Sequence, residues 1–77
     1  MPIYFFVIKH GSEVIKPPSG LRLPDIRAAW EEATTATGEI LRDLDGSLEV
    51  GTEWSIQIQD ETGKPLRTIK LVSEANE

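Results

Sequence analysis

The stretch PDIRAAWEEATTATGEILRDL, residues Pro24–Leu44, decides the fold. Ile26, Ala29, Trp30, Ala33, Thr37, Ile40, Leu41 and Leu44 recur at steps of three and four, which places them on one face of a helix. The opposite face carries Arg27, Glu31, Glu32, Thr35, Glu39, Arg42 and Asp43. Pro24 suits the first helical turn, where its missing N–H costs nothing. Asp25 sits near the positive end of the helix dipole. Asp45-Gly46 supplies a stop, with Gly46 as a left-handed cap. A helix over Pro24–Leu44 would be roughly 30 Å long at 1.5 Å per residue. Its weak point is Thr34 to Gly38, where three threonines and a glycine cost about 2–3 kcal/mol of propensity against alanine. The sequence leaves open whether the helix kinks or breaks there.

Strands lie on both sides of this helix. Ile3 to Lys9 is dense in β-branched and aromatic residues and reads as a strand. His10-Gly11 turns the chain, and Glu13 to Lys16 returns as a short second strand. Pro17-Pro18-Ser19-Gly20 stops it, because proline cannot donate to a ladder. After the helix and a loop over Ser47 to Thr52, Glu53 to Gln59 alternates strictly. Trp54, Ile56 and Ile58 fall on one face and Ser55, Gln57 and Gln59 on the other, the pattern of a half-buried antiparallel strand. Asp60-Glu61-Thr62-Gly63 turns the chain into a last strand, Leu66 to Val72. The predicted fold is α+β in the order ββαββ, one long helix packed on one face of a four-stranded, mainly antiparallel sheet. Residues 1–72 make a single domain, and 73–77 are read as a frayed acidic tail.

A chain of 77 residues has room for one domain and one thin core. It buries only about 60% of the surface exposed when unfolded. There is no cysteine, so disulfides, thiolate metal sites and a cysteine nucleophile are excluded. A small fold without staples relies on packing or oligomerisation. The apolar run Pro2 to Ile8 is short and lacks the flanks of a secretory signal. Nothing approaches the ~20 apolar residues of a spanning helix. A soluble, cytoplasmic protein is the expectation, with no membrane partner. The net charge of −5 argues against nucleic acid, whose affinity rests largely on basic groups. The acidity is localised. Asp25, Glu31, Glu32, Glu39, Asp43, Asp45 and Glu49 outnumber Arg27 and Arg42 in residues 24–49, and Glu74 and Glu77 lie in the tail.

Met1-Pro2-Ile3-Tyr4-Phe5-Phe6, Gly20-Leu21-Arg22-Leu23-Pro24-Asp25-Ile26, Ala28-Ala29 and Asp60-Glu61-Thr62-Gly63 occur in this order over nearly the whole chain. In this the chain resembles a family of short bacterial domains of unknown function. Members open with M-P-x-Y-F-F, carry an L-P-D-[IL] helix start, and place an Asp-x-x-Gly turn within the last strand pair. The resemblance implies a fold and no activity. Members usually have polar residues at the positions of Ile3 and Val7, which makes Tyr4, Phe6 and Ile8 the helix-facing set. Ile3, Phe5 and Val7 then point to the outer face of the sheet, where this chain departs from the family by being wholly apolar. Three apolar residues in one exposed row could form a patch.

Other candidates dissolve into structure. Tyr4, Phe6, Trp30 and Trp54 could be a ligand-binding aromatic cluster, but their periodicity assigns them to the core. A calcium loop over Asp43, Asp45, Gly46 and Glu49 fails, because glycine would stand at the fourth place and not the sixth. His10, the only histidine, reads as a turn residue at a water-exposed hairpin tip. No phosphate-loop spacing is present. The expectation is therefore a non-catalytic interaction or accessory module, with no cofactor and no metal. It self-associates, as a homodimer, through the outer sheet face at Ile3, Phe5 and Val7. The alternative is a regulatory module that offers the acidic helix face, Glu31, Glu32, Thr35, Glu39 and Arg42, to a basic protein partner or a small ligand.

Overall fold

The computed structural model describes residues 1–17, 19–44 and 49–77. Strands β1 (Ile3–His10), β2 (Glu13–Ile15) and β3 (Leu21–Arg22) precede helix α1 (Ile26–Leu44), and β4 (Glu53–Gln59) and β5 (Pro65–Val72) follow it. The sheet is antiparallel in the order β2-β1-β4-β5, with β3 also pairing β1. The α+β class and the helix-on-sheet packing are as the sequence predicts, but there is one strand more. Leu21–Arg22 is too short to show a period, and only its pairing to Ile3 and Tyr4 makes it a strand.

Backbone direction sorts the sheet edges. Gly11 N–H donates to Glu53 C=O, so odd-numbered residues of β1 bond towards β4. Leu23 N–H donates to Pro2 C=O, so even-numbered residues bond towards β3, the edge that β2 also occupies. β2 and β3 are thus two pieces of one edge strand. The pairing passes from Ile8↔Ile15 to Tyr4↔Leu21, so three residues of β1 stand against five positions of the edge, and the edge ladder is interrupted between β2 and β3.

The helix begins two residues later than the periodicity suggests. Asp25 is its N-cap, with Oδ1 accepting from Ala28 N–H at 3.0 Å, and Pro24 lies before the cap. The helix runs unbroken through Thr34 to Gly38. Thr34 and Thr37 hydroxyls donate to the carbonyls of Trp30 and Ala33, each at 2.8 Å, which ties the threonines into the helix. The predicted stop at Asp45-Gly46, and Pro18 within the proline stop, lie outside the described residues.

Ala29 and Ala33 are fully buried and let the helix approach the sheet, where Ile56, Ile58 and Tyr4 complete the central cluster. Phe6, Ile8, Leu23, Ile26, Trp30, Ala36, Ile40 and Ile69 pack around it. The helix lies chiefly over β4 and β5. Its apolar stripe is not covered throughout, since Leu41 remains 42% exposed.

Candidate functional site

The two faces of β1 have different surroundings. Phe6 pairs with Ile58 and Ile8 with Ile56 on the helix side. Phe5 pairs with Gln59 and Val7 with Gln57 on the outer side. In the outer row Ile3 and Phe5 are half-buried, and Val7 is only 3% exposed. Gly20 explains part of this cover. A Cβ there would fall 2.5 Å from Ile3 Cγ2, 2.8 Å from the Tyr4 carbonyl oxygen and 3.2 Å from Phe5 Cε2. The chain before β3 therefore passes against the row as closely as only glycine permits. The β4 part of the outer face, Glu53, Ser55, Gln57 and Gln59, is polar. Gln59 Nε2 donates to Gln57 Oε1 at 2.8 Å, and Gln57 Nε2 donates to Thr68 Oγ1 at 3.4 Å.

His10 is not an exposed turn residue. It ends β1, is half-buried, and stacks on Trp54 with ring centroids 4.0 Å apart and planes 10° from parallel. The cause is register. As an even-numbered β1 residue, His10 shares the helix-side face with Ile8 and lies opposite Trp54. Trp54 itself belongs to the rim and not to the central cluster. With Thr37, Ile40, Ile56, Ile69 and Leu71 it lines a shallow apolar recess, open to solvent, between the second half of the helix and the sheet. Sequence reasoning assigned Trp54 to the core and missed this recess. The place of His10 in the alternation of Tyr4, Phe6 and Ile8 was the available signal.

The helix face away from the sheet is fully solvated. Glu31, Glu32, Thr35, Glu39 and Arg42 are all exposed. Arg27 Nε lies 3.8 Å from Glu31 Oε1, with both side chains largely in water, so this pair adds little stability. Among the described residues, no group of three or more histidine or acidic side chains is placed to hold a metal ion.

The free edge of the sheet is β5. Ser73 N–H donates to Thr52 C=O, so odd-numbered β5 residues bond to β4. Thr68, Lys70 and Val72 therefore turn their N–H and C=O groups away from the sheet, while the register shift at Ile58/Gln59 takes Leu66 out of this alternation, and β5 is the terminal strand. Charges on an edge strand usually repel a second strand. Here both are drawn back onto their own chain: the Arg67 guanidinium lies 5.3 Å from the Trp30 ring centre, and Lys70 Nζ lies 3.9 Å from Glu53 Oε1.

The turn that delivers β5 is built on Asp60. Its Oδ1 accepts from Thr62 Oγ1 at 2.7 Å, Thr62 N–H at 2.9 Å and Lys64 N–H at 3.0 Å. Gly63 takes φ 85°, a left-handed conformation other residues rarely adopt, and donates to Asp60 C=O. The Asp-x-x-Gly spacing is thus a turn requirement. These bonds favour the charged carboxylate, and they hold Asp60 below its ordinary value of 3.8, the Thr62 hydroxyl most strongly and the Lys64 N–H next. The stabilisation is present above 3.8 and is lost as pH falls through the lower folded-state value. Urea midpoints measured down the acid limb are expected to show this. Asp60→Asn lowers stability at neutral pH, and its deficit against the parent shrinks as the parent carboxylate protonates. A deficit independent of pH would contradict the assignment.

Residues 3–72 match a family model described as a domain of unknown function, DUF6894. No curated protein and no solved structure matches the chain.

Proposed function

Because the chain belongs to the DUF6894 family, whose description names no activity, we propose a function from the geometry: a non-catalytic interaction module that self-associates through its sheet. The observation that carries this reading is the contrast between the two sheet edges. One is interrupted between Ile15 and Leu21. The other, β5, holds regular register with β4 from Arg67 to Val72, with the outward backbone groups of Thr68, Lys70 and Val72 free for another strand. Groups that could have suggested chemistry have structural roles, His10 against Trp54 and Asp60 within its turn. Val7 has almost no surface to offer, so on the outer row Ile3 and Phe5 are the residues able to contribute. The absence of cysteine suits a reducing cytoplasm.

Sedimentation equilibrium over a concentration series is expected to show a reversible monomer–dimer equilibrium. A mass that stays that of one chain at the highest concentration would remove the proposal.

The exposed face of Glu31, Glu32, Thr35, Glu39 and Arg42 supports a second reading, a regulatory module that meets a basic protein partner. Such a contact would be steered by charge and weakened by salt. Reversing Glu31 and Glu32 to lysine is expected to abolish recovery of that partner while leaving the fold intact. Unchanged recovery would count against this reading.

A further inference from the structure

We infer that the free edge of β5 pairs antiparallel with β5 of a second copy of this chain, with Ile69 on the two-fold axis. This rests on the self-association proposed above and specifies its surface and register.

Backbone direction leaves few registers. On the regular side of the register shift only Thr68, Lys70 and Val72 present outward N–H and C=O groups, so hydrogen-bonded pairs across the new interface must join even to even. The two-fold axis can then fall on Arg67, Thr68, Ile69 or Lys70. Centring on Arg67 or on Lys70 places like charges directly opposite each other, which is unfavourable. Centring on Thr68 sets Lys70 opposite Leu66, which the register shift takes out of the ladder, and sets Arg67 against Ile69. Centring on Ile69 pairs Thr68 with Lys70 on both sides of the axis and brings the two Ile69 side chains together at a close, non-hydrogen-bonded position. It also keeps the new ladder within Arg67 to Leu71, in the part of β5 that holds regular register with β4, and Ile69 is the midpoint of that stretch. The symmetry is closed, so pairing stops at a dimer and does not propagate along this edge. The two sheets become one, with both helices on the same face.

The test exploits the lack of cysteine in the chain. Directly opposed non-hydrogen-bonded residues have Cα atoms about 4.5 Å apart, within disulfide range. Residues displaced by two positions on each strand are too far apart to bridge. Under mild oxidation Ile69→Cys is expected to form a covalent dimer at least tenfold faster than Thr68→Cys. The reverse order would move the axis to Thr68 and overturn the assigned register. Thr68→Pro removes an N–H that makes no bond to β4, so the monomer keeps its fold by circular dichroism while dimer affinity falls at least tenfold. If the parent protein dimerises, and Thr68→Pro dimerises equally well with no cross-link at Ile69→Cys, the β5 interface is wrong and self-association runs through another part of the sheet. If the parent never dimerises, self-association itself fails.

Discussion

Ile58→Ala is expected to cost about 2–5 kcal/mol, the range for truncating a fully buried isoleucine. Ile58 has no exposed surface. It lies in β4 between Phe6 of β1 and Arg67 of β5, and it belongs to the cluster that Ala29 and Ala33 complete from the helix. Truncation removes three carbons where sheet and helix are both fixed, so the walls can collapse only in part. A domain of this length has a total stability of about 4–12 kcal/mol by the usual per-residue range. The variant therefore forfeits a large share, and its Tm falls by about 4–8 °C for each kcal/mol lost. Urea denaturation reads the result as a lower midpoint with an unchanged m-value. A loss below about 1 kcal/mol would mean that Ile58 is not the centre of the core.

That centre was readable because Trp54, Ile56 and Ile58 alternate with polar residues and because the helix stripe repeats every three to four positions. Periodicity reports which face of an element is apolar. It does not report which elements become neighbours. The pairing of β1 with β4 in the middle of the sheet follows from packing both hairpins under one helix, and no single segment carries that information. β3 was illegible for a different reason: two residues have no period, and their strand character comes from lying against Ile3 and Tyr4. At Thr34 to Gly38 a sum of propensities left a break open, whereas the threonine hydroxyls bond back to the preceding turn and the helix continues.

The surfaces were legible to the same depth. The acidic helix face needed only the helical repeat. The outer position of Ile3, Phe5 and Val7 was implied by the family resemblance, in which polar residues stand at the positions of Ile3 and Val7, but their cover was not. It depends on where Gly20 passes, which is a property of the folded chain. The free edge of β5 needed strand order and hydrogen-bond direction together. Neither is encoded in the pattern of apolar residues, which shows an apolar row on a face and not the open backbone of an edge.

The close approach of helix to sheet makes the opposite kind of substitution informative. Ala33→Leu is expected to destabilise the domain by about 1–3 kcal/mol, the usual cost of added volume in a packed core. Alanine and leucine have similar helix propensities, so the change isolates packing from helix formation. Ala33 is fully buried one turn beyond Ala29, which is also fully buried, so a larger side chain must lift the helix or force an unfavourable rotamer. Lifting would loosen Trp30, which packs against the same cluster and lies beneath Arg67. A red shift in tryptophan emission is therefore expected alongside the lower urea midpoint. Thr35→Leu, on the exposed side of the same helix, supplies the contrast: it should leave stability within about 0.5 kcal/mol of the parent. Equal effects at both positions would show that the helix does not rest on the sheet through its alanines.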